Sequence, residues 1–290
     1  MTRERQQCIN QYMSRVSSFP NVEALVSAAL NGRDDRSTQI LRERYGLRNP
    51  DLRTLEEIGG NLDLTRERVR QIETKALEAA RADLEEAAEA RLFLELVHAY
   101  LNGVGNLRRD DLLAADLHRL WQAKQKEEIF RNHLRFLTKV LDGPQVVYET
   151  SQSHAYWHND RGAEVVAKKL VVKLHSHAKE DFDSFLEAAG KKFELAEPLV
   201  INYLLISKNF MIGPYGDLGS GEWLHINPKT VRDKTYLVLQ RAGRPLHFEE
   251  IAKEVNHIGV GRRSSATVHN ELIRDRRFVL VKRGIYTIKS

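Results

Sequence analysis

The chain has 290 residues, 42% of them hydrophobic and 29% charged, with a net charge of +5. That apolar content excludes a disordered protein, and the length points to two to four domains rather than one. With no run of about 18 apolar residues and no apolar core behind the charged N-terminus, neither a membrane span nor a signal peptide is expected, which makes the chain cytoplasmic with no membrane partner. A single cysteine, Cys8, excludes an internal disulfide and a cysteine-paired zinc finger.

Charge is unevenly spread. Residues 228–290 hold fourteen Lys or Arg against six Asp or Glu, whereas residues 78–98 hold six acids against two arginines. A basic segment of this size favours phosphate backbones through counterion release, so double-stranded DNA is the first partner expected.

In chain order, residues 1–35 form an N-terminal helical segment: Ile9, Tyr12, Met13 and Val16 recur at helical spacing before Pro20, then Val22, Leu25, Val26 and Leu30 before Gly32. Ile40, Leu41 and Tyr45 give the next face, stopped by Gly46 and Asn49-Pro50. Thr54 then caps a short helix, with Glu57 completing a capping box. Gly59-Gly60 is expected to end that helix. Thr65 caps the next one, whose inward face is Val69, Ile72, Ala76 and Ala80. Two helices joined by a tight turn form a helix-turn-helix, in which the second helix enters the major groove with its N-terminal residues leading. Arg66, Glu67, Arg70 and Gln71 then lie on the outward arc. Arginine pairs with guanine, glutamate accepts from cytosine and glutamine pairs with adenine. Charge alone does not separate a reading surface from a salt-bridged solvated face.

Residues 41–77, "LRERYGLRNPDLRTLEEIGGNLDLTRERVRQIETKAL", resemble region 4 of sigma-70 family factors, most specifically in "TLEEIG" and "TRERVRQIE". The resemblance, over about residues 36–80, implies base reading by Arg66, Glu67 and Gln71, and phosphate contacts by Thr65, Arg68, Arg70 and Lys75. Only 35 residues precede the motif, so a complete sigma factor is not expected.

Beyond Leu77 the helix is expected to continue to about Tyr100, with Ala80, Leu84, Ala87, Arg91 and Leu94 on one face, and residues 81–103 read as an acidic helical connector. A homodimer through residues 78–100 stays open, although packing within the same chain is the commoner fate of such a stripe. Three later segments share one pattern, a helix followed by two short strand-like runs around a turn. They predict winged helices at 104–160, 161–226 and 227–290. The last, "TYLVLQRAGRPLHFEEIAKEV…SSATVHNELIRDRRFVLVKRGIYTI", resembles the HARE-HTH winged helix found in the delta subunit of some bacterial RNA polymerases. There Val268, Leu272 and Ile273 are expected in the core. Thr267, Asn270 and Arg274 face outward on the recognition helix, and Arg262, Arg263, Lys282 and Arg283 are candidate phosphate contacts.

No metal or other cofactor is expected. His154, His158, His175 and His177 lack a Cys pair or an HExxH helix, and the glycines of "IGPYGDLGSGEW" lack a Walker Lys-Ser pair. No nucleophile stands at motif spacing from a base, so no enzyme is expected. The fold class is mainly α, an N-terminal helix-turn-helix followed by tandem winged helices. The function expected is sequence-specific DNA binding in bacterial transcription regulation. Two alternatives remain: an accessory factor that binds the RNA polymerase core, and a DNA-sensing component of a restriction or defence system.

Overall fold

The computed structural model describes residues 19–177, 181–259 and 262–289. Ile9, Tyr12, Met13 and Val16 lie outside the described residues. The chain is mainly helical and divides into two compact units, one of residues 19–168 and 195–206, the other of 169–194 and 207–289.

In the first unit, α1 (Val22–Leu30) starts at Asn21, whose side chain accepts from the Ala24 amide, and buries Val22, Leu25, Val26 and Ala29. Asp34 caps α2 (Asp35–Tyr45), which ends at Gly46 in a left-handed conformation. Thr54 and Glu57 form the expected capping box on α3 (Leu55–Leu62), and Thr65 caps α4 (Arg66–Glu85). The glycine pair does not end α3. Both glycines are inside the helix, and Asp63, at φ 53°, makes the left-handed turn. Gly59 is instead demanded by close packing, because a Cβ there would lie 2.6 Å from the Leu64 carbonyl oxygen.

α4 also stops earlier than its apolar pattern suggests. The chain breaks at Glu86 and restarts as α5 (Ala88–Gly103), with Arg91 donating back to the Glu85 and Glu86 carbonyls. Next come β1 (Leu107–Arg109), α6 (Asp110–Leu120), α7 (Glu127–Val140), β2 (Gln145–Val147) and β3 (Tyr156–His158). β3 is the central strand, antiparallel to both neighbours, with Trp157 opposite Arg108 on one side and Val146 on the other. Helix, strand, two helices and a hairpin, with the first strand beside the last, are consistent with a winged helix.

Packing does not stop at residue 80 or 103, where the sequence suggested limits. Leu41, Ala76, Ala80 and Leu84 share one continuous core with Phe93, Leu96, Phe130, Phe136 and Trp157. Ala80 and Leu84, two of the five residues in the stripe considered for a dimer seam, are thus consumed within the chain. Asp110, with a side chain 3% exposed, ties this core together: Arg135 donates two hydrogen bonds to its carboxylate and the Trp157 indole donates a third at 2.7 Å.

α8 (Arg161–His175) carries the limit between the two units, and α10 (Glu197–Leu204) belongs to the first. The Asn202 amide holds α10 there by donating to the Val104 and Leu107 carbonyls. Residues 161–226 are therefore divided between the units.

In the second unit, α9 (Phe182–Phe193) sets Phe182 in tilted ring contact with Phe210 of a two-stranded hairpin, β4 (Phe210–Ile212) and β5 (Leu218–Ser220). The C-terminal part runs α11 (Val231–Ala242), β6 (Leu246–His247), α12 (Phe248–His257), α13 (Ser265–Arg274), β7 (Phe278–Lys282) and β8 (Ile285–Ile288). Its strand order is β6-β8-β7, the same helix and strand sequence and the same sheet order as in the first unit. Val268 and Leu272 enter its core as expected. Ile273 does not; it is 65% exposed. Val268 and Leu272 are four residues apart on one face, and the next residue is rotated about 100° away from it.

Candidate nucleic-acid interface

α4 is positioned by what it buries. Val69 packs with Ile40 and Ile58 in a small core of the helix-turn-helix, with Leu55, Leu62, Leu64 and the half-buried Ile72 around it. Farther along, Ala76 and Ala80 enter the larger core. Arg33 anchors this end, donating to the Ala76 carbonyl at 3.3 Å and pairing with Asp83 at 2.9 Å. Tyr45 donates to Glu73 at 2.8 Å, and burial pushes its hydroxyl well above the usual tyrosine range.

With that side fixed, Thr65, Arg66, Glu67, Arg68, Arg70, Gln71 and Lys75 are all exposed. Thr65 accepts from the Arg68 amide, so its side chain is the helix cap. Arg70 donates to Glu67 at 2.7 and 2.8 Å, Gln71 to Glu67 at 3.4 Å, and Arg68 to Gln71 at 3.3 Å. The Arg70 guanidinium holds the Glu67 carboxyl below the usual range, and Glu67 raises Arg70 in return. Glu67, Arg68, Arg70 and Gln71 thus form a linked network lying wholly at the surface. Surface pairs of this kind are weak and exchange readily for other partners. Arg66 occupies the first helical position, where the helix dipole also favours an incoming anion.

The other candidates lie in the second unit. Asn256 fixes the backbone of Arg263 with two hydrogen bonds, 2.9 Å from its amide to the Arg263 carbonyl and 2.7 Å from the Arg263 amide to its side-chain oxygen. Arg262 and Arg263 are exposed directly before α13, which Ser264 caps. Thr267, Asn270 and Arg274 are exposed along α13, and Lys282 and Arg283 are exposed at the hairpin tip. Beneath them His269 stacks on Phe248, ring centroids 4.4 Å apart, and shares a hydrogen bond with the Tyr286 hydroxyl.

Sequence reasoning missed the role of α7. It is the third helix of its winged-helix pattern, yet Phe130, Asn132, His133, Leu134, Phe136, Leu137, Thr138 and Val140 are all buried. α7 packs against α1, α2 and α4. Asn132 donates to the Gly46 and Pro50 carbonyls, and the His133 ring meets the Leu47 carbonyl at 2.9 Å. These bonds hold the loop between α2 and α3. Burial lowers the His133 pKa below the ordinary 6.5. The signal was present in the sequence: apolar positions at 129, 130, 134, 136, 137 and 140 cover more than one stripe, as on a helix covered from two sides.

Among the described residues no group of three or more His, Cys, Asp or Glu has the geometry to hold a metal ion. Among them, too, no helix is long and apolar enough to cross a membrane.

Residues 29–82 match the family described as Sigma-70, region 4. The chain is 50% identical over 65 residues to the RNA polymerase sigma factor SigA of Clostridium acetobutylicum, an overlap covering 22% of this chain and 17% of that protein. It is 41% identical over 63 residues to RNA polymerase sigma factor RpoD of Helicobacter pylori, covering 21% of this chain and 9% of that protein. A third relative, RNA polymerase sigma factor SigA1 of Synechococcus elongatus, is 54% identical over 46 residues, or 16% of this chain and 12% of the relative. The chain therefore spans less than a fifth of these relatives, and the similarity is to one module.

Proposed function

We propose that the chain is a sequence-specific DNA-binding protein of bacterial transcription, in which α4 reads base edges through Arg66, Glu67 and Gln71. The observation that carries this reading is the two-sidedness of the helix-turn-helix: α7 of the same chain covers its apolar side, while the polar first turns of α4 are open. Its likeness to region 4 of proteins named as sigma factors adds the context of transcription. Thr65, Arg68, Arg70 and Lys75 hold phosphates on either side of the reading arc. Arg262, Arg263, Lys282 and Arg283, with Thr267, Asn270 and Arg274 of α13, add contacts that raise affinity by effective concentration. The chain acts by binding and carries out no catalytic step.

Selection of bound sequences from a random DNA pool tests the reading. A short hexamer-like consensus is expected, and recovery of no consensus overturns it. Arg66→Ala relaxes specificity at one base pair at a cost of about 1–3 kcal/mol. Equal loss on selected and random duplexes would remove Arg66 from base reading.

A second reading has support in the relatives' printed names, which are those of RNA polymerase sigma factors. In it the chain is an accessory factor on the polymerase core. The cover that α7 gives the apolar side leaves less of the module for such docking, which is why DNA reading ranks first. Co-purification with core polymerase after nuclease treatment separates the two.

A further inference from the structure

The C-terminal sheet ends on an open strand. In the order β6-β8-β7, β7 has a neighbour on one side only. Phe278 is buried, but Val279, Leu280 and Val281 are 42%, 56% and 53% exposed, and the exposed Ile273 lies on α13, which packs against β7. Natural sheets blunt such edges with charge, proline or a cover, and a run of exposed apolar residues on an edge marks a place where another strand pairs. A register irregularity between Leu280 and Lys282 leaves Val281 out of the pairing with β8.

The charge left outside ion pairs around this edge is positive. Arg274, Arg276, Lys282 and Arg283 are exposed. The neighbouring carboxylates are already engaged, Asp233 and Asp275 by Arg277, and Glu271 by Arg232. Among the described residues no ion pair holds those four cations.

We propose that the open edge of β7 is a docking site for an extended acidic segment of a partner protein. Such a segment adds a strand beside β7. Its backbone pairs with the free edge, its apolar side chains cover Val279, Leu280 and Val281, and its carboxylates face Arg276 at one end and Lys282 and Arg283 at the other. Two other occupants fit less well. A second copy pairing antiparallel about Leu280 sets Arg277 opposite Arg283 of the second copy, twice over, and like charges directly opposite destabilise a ladder. Nucleic acid rewards the cations but not the burial of four apolar side chains. The site is independent of base reading by α4.

The test uses the intact chain and two fluorescein-labelled peptides of about twelve residues, one alternating valine with glutamate and one alternating valine with lysine. Saturable anisotropy binding is expected for the glutamate peptide alone. Leu280→Ser, and separately Val279→Ser, should weaken it by about tenfold or more while thermal melting stays unchanged. No saturable binding of the glutamate peptide overturns the proposal, as does equal binding by the lysine peptide or by both folded variants. If Leu280→Ser loses random-sequence duplex binding as strongly as peptide binding, the strand is a DNA contact and the proposal falls. A dimer of the chain alone that Leu280→Ser disperses assigns the edge to a second copy, with the same consequence. None of these outcomes bears on whether a consensus emerges from the DNA pool.

Discussion

α7 and α13 hold the same place in two stretches of chain with one order of elements, yet they face opposite environments. Eight residues of α7 are buried, against two of α13. The difference is in the width of the apolar face. α13 has one stripe, Val268 and Leu272, enough to reach its own core and no more. α7 sets Phe130 edge-on to His118 and Trp121 at the end of α6, and Phe136 against Tyr45 of α2, so its apolar surface is covered from two sides. Topology places the third helix at a surface; the second apolar face decides whether that surface meets water or protein.

The contrast can be broken most directly by truncating α7. Phe136→Ala should cost about 3–5 kcal/mol in thermal or urea unfolding, from lost burial plus the cavity left behind. Ile273→Ala on α13 should stay within about 0.5 kcal/mol. Similar losses for the two would show that the helices are not differently used. A smaller effect sharpens the point: Asn132→Ala leaves the Gly46 and Pro50 carbonyls short of their donor and should cost about 1–3 kcal/mol, read as a lower unfolding midpoint.

The third test is one of pH. Burial depresses the His133 pKa in the fold, so below the ordinary value of 6.5 the unfolded chain takes up a proton that the folded chain resists. Stability should therefore be full above 6.5 and fall as the pH drops through the folded value. His133→Gln, which does not titrate, should flatten that part of the melting-temperature profile between about pH 5 and 7 relative to the unaltered chain. A profile unchanged by the substitution would mean that the ring is solvated. The smallest effect belongs to α13: Arg274→Ala should leave unfolding within about 0.5 kcal/mol and, if the helix touches phosphate, lower the salt slope of duplex binding by about one.

What the sequence made legible was local. The Thr54–Glu57 box, the Thr65 cap and the inward set Val69, Ala76 and Ala80 depend on residues three or four apart, and such relations are visible in a string of letters. What it hid depended on distant partners. Gly59 looked like a stop signal, because its reason, the Leu64 carbonyl against the α-carbon, exists only after the turn has formed. The break at Glu86 carries no glycine or proline and is fixed by Arg91 reaching back. α10 was read with its sequence neighbours, yet Asn202 anchors it to carbonyls nearly a hundred residues earlier. For the site, the outward arc of α4 was readable from the helical period. The internal pairing of Glu67 with Arg70 was visible only as an arithmetic spacing.

The shared core of the first unit has a consequence for anyone cutting this chain. The region-4 match ends at residue 82, but the match limit is not a folding limit. A fragment excised there loses Phe93, Phe130 and Phe136 from around Leu41, Ala76 and Ala80, and loses Asn132 and His133 from the loop after α2. It would bare the side that α7 covers and become sticky on a face foreign to the whole protein. Whatever such a fragment then bound would report on the excision, not on the intact chain.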